Sequence, residues 1–410
     1  MSFLTRQLTA SDRGRIRRHI ALIPIYLWIV FTWVGYARSV TTPGRLDDAG
    51  LVKGHDFVHF YVLGEVALER QPHDLYDYTA QAARSDRIAG YEARYLPAYG
   101  PQVAMLFAPL AALPYDTAWV VWAAVTALAY AGSWYLLWRT EPILRRYKWE
   151  TAVAALGYPP FAMLMGFGHI SALALAAFTG AYLALRAGRP WVAGVALGCL
   201  FVKPPLGVIL PFVLLYGREW RMIGGAVATV AAQLIAAGAY FGWRVLADYG
   251  RVTMGFGGVA AQMEPQPDQM QSLRSLFSVS MPWPTVALVC YLVTAAGVVV
   301  VAARCWRSAR PLPLRYAVLL VSAILVDPHV NVYDLVVLVP ALLFTAAMML
   351  TVSSGTWPWA LLYLCFYSPV FAYTASAHAH VQVTVLALVL LGWMLSTERW
   401  SRRLEGTNLY

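Results

Sequence analysis

Residues 186–221 read RAGRPWVAGVALGCLFVKPPLGVILPFVLLYGREWR. Two uncharged runs, 191–202 and 204–217, flank a single lysine, Lys203, and arginines close the stretch at both ends. At about 1.5 Å per helical residue each arm climbs about 18–21 Å, short of the ~30 Å hydrocarbon core of a bilayer. Both ends carry charge of the kind found on one membrane side, so the stretch is expected to enter and leave by the same face. Lys203 then sits at the tip, below the opposite surface. A charge in lipid at that depth costs a few kcal/mol, which requires it to face protein or a wet cavity. Pro204 and Pro205 break the helix there, and irregular backbone at membrane depth is tolerated only where it lines such a cavity.

The whole chain agrees with that reading. Of its 410 residues 60% are hydrophobic and 13% charged, with a mean hydropathy of +0.56. Soluble domains carry about 25% charged residues, so a soluble enzyme is excluded. Cys199, Cys290, Cys305 and Cys365 lie in or beside apolar runs and suggest neither a disulfide framework nor a zinc site.

Charge-free runs give the map of spans: 20–37, 117–138, 151–185, 191–202, 204–217, 222–243, 282–303, 316–326 and 335–397. The run 151–185 is too long for one helix and carries Pro159, Pro160, Gly166 and Gly168 near its middle, so it reads as a hairpin with His169 at its tip. The run 335–397 breaks at 355–358 and around His378 into three spans. An all-α polytopic membrane protein of about twelve transmembrane helices is expected. Assigning the N-terminus and residues 139–149, 186–190, 217–221, 304–315 and 397–410 to one side collects 20 of the 31 Lys and Arg there. That side is the cytoplasm by the positive-inside rule. The net charge of +10 is therefore a topological signal, and no nucleic-acid partner is expected. Arginine outnumbers lysine 28 to 3, which hints at a GC-rich bacterial gene.

One membrane domain spanning 1–410 is expected, with two outer elaborations at 38–116 and 244–281. The first holds a short apolar stretch, 103–113, long enough to lie in the interface but not to cross. Loops of such length are usually functional. The arm 316–326 repeats the geometry around Lys203, leading to the tip DPHVNVYD at 327–334. With His169 and Lys203 this makes three outer-side tips whose polar residues could converge beneath the loops.

The first outer loop opens with GHDFVHFY at 54–61. Asp56, wedged between aromatic residues, is placed to be a partly desolvated base. Taken alone it is unremarkable, since loop carboxylates are usually solvated charges or helix caps. His55 and His59, four apart, could flank a metal with Asp56, but no further matched ligand follows them.

These stretches resemble glycosyltransferase family 87. The similarity runs in order through 54–61, the Leu75-Tyr76-Asp77 that follows, YGPQVAMLFAPLAALPY at 99–115, the segment around Lys203, Gln271-Ser272-Leu273-Arg274, and DPHVNVYDLVVLVPALL at 327–343. The resemblance implies a GT-C type fold and a polyprenyl-phosphate-sugar-dependent transferase, with mannose the expected sugar. The implied partners are that donor, membrane lipids and a glycolipid or glycan acceptor, met at the outer face of the bacterial cytoplasmic membrane. His169 stands where the family usually has Gln, Pro205 where it has Gln, and Gly100 where a second Pro is common. These departures bear on the choice of sugar or acceptor more than on the reaction.

Chemical need assigns the expected roles. Transfer from a lipid phosphate requires a base for the acceptor hydroxyl and cations or donors for the departing phosphate. Asp56 fits the base. Lys203 and Arg274, with His329 as a further donor, fit the phosphate. His55, His59, His169, Glu264, Asp268 and Asn331 are candidates for sugar or acceptor hydroxyls. Neither an Asp-x-Asp motif nor a Gly-rich phosphate loop is present, which disfavours a nucleotide-sugar donor, and no metal or other cofactor is expected. The rival reading is a transporter or lipid flippase with a buried Lys203, Asp327 and His329 pathway. Such proteins commonly show paired repeats and midplane charges, and neither is evident here.

Overall fold

A computed structural model describes residues 10–263, 267–352 and 354–397. Among the described residues the chain is helices and turns, with two isolated β-bridges, Leu46 to Val52 and Met270 to Asn331. Five helices are long and apolar enough to cross a membrane: Leu22–Thr41, Tyr115–Thr140, Trp220–Phe241, Pro284–Arg307 and Val332–Thr351. A sixth span results if Thr356–Val370 and Ala372–Ala379, bent by 77°, count together. Single long helices thus account for five crossings, six with the bent pair, against the expected total of about twelve. The remaining apolar chain forms helices of 10–17 residues, including Ser171–Arg186, Pro190–Val202, Pro204–Gly217, Leu312–Val326 and Val383–Ser396. Prolines and polar tips cut them short, and a 15-residue helix rises only about 22 Å.

Val332–Thr351 and Leu312–Val326 form the centre of the bundle, buried on nearly all sides. The first span is peripheral. It rests on the helices Lys148–Gly157 and Pro159–Phe167, where the Trp33 indole donates to the Leu156 carbonyl at 3.0 Å and its ring meets Phe161 at 5.5 Å. The rest of its surface faces outward, as a lipid-exposed helix must.

The segment 38–116 folds onto the start of Tyr115–Thr140. Its helices Phe57–Leu68, Tyr78–Ala89 and Pro101–Ala111 enclose an aromatic core of Phe57, Phe60, Phe107, Tyr115, Trp119 and Trp122. The 244–281 segment is more regular than a loop, with helices at Arg244–Met263 and Leu273–Ser280.

Close backbone approach holds Pro190–Gly198 against Trp220–Phe241. A Cβ on Gly194 would lie 2.0 Å from the Met222 carbonyl oxygen, one on Gly198 2.8 Å from the Ala226 oxygen, and one on Gly225 2.3 Å from the Trp191 oxygen. Small residues spaced by four give membrane helices this contact. Gly194→Ala and Gly225→Ala are therefore expected to destabilise the protein by about 1–3 kcal/mol through overpacking. Gly297→Ala, at a position with nothing within 4 Å, should not. Thermal unfolding of the detergent-solubilised variants checks this, with lowered midpoints expected for the first two only.

Candidate active site

The three tips and the 38–116 segment meet around one cavity of about 1310 Å³. Glycine makes the meeting possible at two points. Gly168 caps Pro159–Phe167 in the left-handed region (φ +69°), where a Cβ would sit 2.9 Å from that of Phe57. Gly54 (φ +70°) lies so close to the Trp119 indole that a Cβ would fall 2.3 Å from its ring. The Asp56 amide then donates to the Phe167 carbonyl at 2.8 Å, and the Trp122 indole donates to the Gly168 carbonyl at 2.8 Å. Asp56 is thereby bolted to the hairpin tip at 168–170 as it begins the helix Phe57–Leu68.

Asp334 joins the other tips. It is fully buried and immediately precedes the charge-free run 335–397. Its Oδ1 receives the Lys203 ammonium at 2.5 Å and the Ser171 hydroxyl, and its Oδ2 receives the Asn331 amide at 2.9 Å. From Ser171 the bonding continues outward. His169 Nδ1 lies 2.9 Å from Ser171 Oγ, and His169 Nε2 lies 2.9 Å from the Tyr99 hydroxyl. Because the Ser171 proton is committed to Asp334, His169 Nδ1 must donate and Nε2 must accept from Tyr99. This requires the neutral Nδ1–H tautomer. Tyr333 stacks on His169 at 4.3 Å and lies under the Lys203 ammonium, 5.2 Å from ring centre to Nζ, a cation–π distance. Its hydroxyl accepts from the Asn331 side-chain amide (Nδ2) at 3.1 Å.

The cavity wall includes Asp56, His55, His59, His169, Lys203, Arg274, His329 and Asn331, so the structure brings together eight of the ten residues singled out from sequence. Asp56 is partly buried, with His55 Nδ1 at 3.3 Å from its Oδ1. Arg274 donates to the Pro328 carbonyl at 3.3 Å, and the His329 amide donates to Asp327 at 2.7 Å. Asp268 is half-buried beside the cavity and is not part of its wall, while its neighbour Gln269 is. Glu264 lies outside the described residues. Lys203 is at the cavity as expected, but its charge is already shared with Asp334 rather than open for a ligand alone. Asp334, Tyr333, Ser171, Tyr99 and Tyr95 were not singled out. Asp334 had a readable signal, as a carboxylate at the head of a long charge-free run.

His59 lies in the 38–116 segment, outside the candidate spans, and burial pushes its imidazole down to about 4, so it is neutral near pH 7. Among the described residues no three His, Cys, Asp or Glu side chains gather in a way that could hold a metal ion.

Residues 97–328, more than half of the chain, match the model of glycosyltransferase family 87. The chain belongs to that family. No curated protein and no solved structure matches it. The matched range holds Tyr99, His169, Lys203 and Arg274 and stops just before His329. Asp56 lies upstream of it, yet shares the cavity with them. Family membership makes the protein a glycosyltransferase and sets aside the transporter reading.

Removing one partner of a buried ion pair strands the other charge, at a cost of about 3–5 kcal/mol. Asp334→Asn is therefore expected to lower stability by about that much. The double variant Lys203→Met/Asp334→Asn, which buries no charge, keeps one carbonyl acceptor for the Asn331 backbone amide and can donate its NH2 to Ser171, should recover most of it. Denaturation of the three proteins in one detergent checks the pair, and a single variant as stable as the parent would show that the pair does not hold the tips.

Proposed function

We propose that this glycosyltransferase moves a sugar, mannose in the first instance, from a polyprenyl-phosphate donor to a hydroxyl of a glycolipid or glycan acceptor. The reaction takes place at the outer face of the bacterial cytoplasmic membrane, in a chain of about twelve crossings with both termini inside. The observation that carries this reading is that a carboxylate, Asp56, and the basic residues Lys203, Arg274 and His329 line the same cavity. A lipid-borne donor suits the cavity's other wall. Between the first span and Pro159–Phe167 the lining is Tyr36, Ser39, Val40, Ala162, Met163 and Gly166, mostly apolar and next to a lipid-exposed helix.

In this mechanism the Asp56 carboxylate takes the proton of the acceptor hydroxyl, and the oxygen attacks the anomeric carbon from the face opposite the phosphate. The bond from that carbon to the phosphate oxygen breaks, its electron pair leaves with the polyprenyl phosphate, and the configuration inverts. No general acid is required, since a phosphate monoester is largely ionised near neutrality. Lys203 and Arg274 offset the charge that appears on the leaving oxygens, and His329 adds a donor. All these roles fall to the chain's own residues, so activity is expected without an added metal or cofactor. Asn331, His55 and His169 remain candidates for sugar or acceptor hydroxyls, as do Asp268 beside the cavity and Glu264.

The test is to incubate purified protein with a panel of polyprenyl-phosphate sugars and acceptors and follow which donor loses its sugar. Asp56→Asn should lower the turnover of that donor by about 10²–10⁴-fold, the usual worth of a positioned base. Near-normal turnover by that variant would remove Asp56 from the role.

A further inference from the structure

Among the described residues, His59 is a wall residue of the 38–116 segment with both of its side-chain polar atoms left over. It is 4% exposed and lines the cavity, and neither ring nitrogen has a partner. Its neighbours do not satisfy it. The Tyr95 ring stacks on it at 5.4 Å, but the Tyr95 hydroxyl donates to the His55 carbonyl at 2.5 Å. The Tyr99 ring lies 5.5 Å away, and its hydroxyl is committed to His169. Buried polar atoms are nearly always paired, and leaving a donor and an acceptor unmet is costly. A neutral imidazole at the edge of a cavity presents one N–H and one lone pair, which is the complement of a hydroxyl group.

Its place in the helix says which hydroxyl. Asp56 caps Phe57–Leu68 and His59 is its third residue. Positions three apart lie on one face, about 5–6 Å from Cβ to Cβ, close to the reach needed to hold two neighbouring hydroxyls of one ring. We propose that His59 is a specificity-determining residue that binds the hydroxyl adjacent to the one Asp56 activates, so that the acceptor is a ring-borne vicinal diol and not an isolated alcohol. This rests on the reading of Asp56 as the base. It assigns the His59 side of the cavity to an uncharged, hydroxylated ring with an aromatic wall beside it, and the Lys203 and Arg274 side to phosphate.

The experiment is a cycle between protein and ligand. Wild type, His59→Phe and His59→Gln are titrated with octyl α-D-mannopyranoside, its monodeoxy analogues and n-octanol below micelle formation. Transfer to each is then measured with the donor identified by the panel. For wild type, one monodeoxy analogue should lose about 10–100-fold in affinity or kcat/KM, because a site built to bond a hydroxyl rejects the ligand lacking it. His59→Phe should cost the parent glycoside the same factor and leave that analogue unchanged, and His59→Gln, which keeps a donor and an acceptor, should restore part of the loss. Equal losses for parent and analogue, or n-octanol accepted as well as the glycoside, would overturn the proposal. Unfolding midpoints of both variants separate a contact from a folding defect. Failure of the base reading appears elsewhere, as retained turnover in Asp56→Asn, while the binding arm of the cycle still reports on His59.

Discussion

An ammonium group held beneath the surface of a membrane domain needs a counter-charge, and the counter-charge needs its own remaining lone pairs met. Lys203 and Asp334 satisfy both demands across 131 residues of sequence. Because Asp334 also binds Ser171 and the Asn331 amide, the ion pair draws three separate hairpin tips to one point. The tips cannot move apart without stranding a buried charge. Asp56 joins the assembly at one remove, through its amide on Phe167 and the contact between Gly168 and Phe57.

Short arms make this possible. A helix of full span delivers its ends to the two surfaces, where polar residues meet water and have no need of one another. Helices such as Pro190–Val202 and Leu312–Val326 stop inside, and their unwound ends must find partners there. The aromatic core of the 38–116 segment serves a different purpose. Phe57, Phe107 and Trp122 pack with ring centres 4.7–6.4 Å apart, giving the start of Phe57–Leu68 a rigid floor. A base held to a productive geometry needs such a floor, since about 1 Å of misplacement can cost a hundredfold in rate.

Much of this was legible in the letters. Charge-free runs marked the helices, and Pro159, Pro204 and Pro205 marked where they break. Lys203 and the 327–334 tip stood out because polar residues are rare in such runs, and Asp56 because it is wedged between aromatic residues at the start of a long segment between runs. What the letters do not carry is pairing between distant residues. Nothing local says that Lys203 meets Asp334 instead of Asp327, or that Tyr99 closes on His169. The length of each crossing was equally hidden, because a charge-free run of eleven to sixteen residues is compatible with a half-span or with a whole span completed by polar turns. Arg244–Met263 escaped for a related reason: its Met, Gln and Gly residues look like loop, while its amphipathic pattern supports a surface helix.

The Lys203–Asp334 pair also constrains the electrostatics of the proposed reaction. If the ammonium is already offset by a carboxylate, the departing phosphate does not enter a strongly cationic well, and binding of the donor need not be very tight. What the transfer requires is a change in where negative charge sits. The donor diester carries one negative charge and the leaving monoester carries close to two. Over the same step Asp56 passes from carboxylate to neutral acid. One unit of charge therefore leaves Asp56 and one appears on the phosphate, so the total within the cavity is nearly constant. In a low-dielectric site, where an uncompensated charge is expensive, that conservation removes the need to import a counter-ion during the chemistry. The protein has only to make the phosphate end the better place for the charge. In the proposed arrangement Lys203, Arg274 and the donors at the 327–334 tip serve the phosphate, and Asp56 shares the cavity with aromatic rings. Fixed groups arranged in this way stabilise the transition state more than the ground state, and that difference is what catalysis consists of.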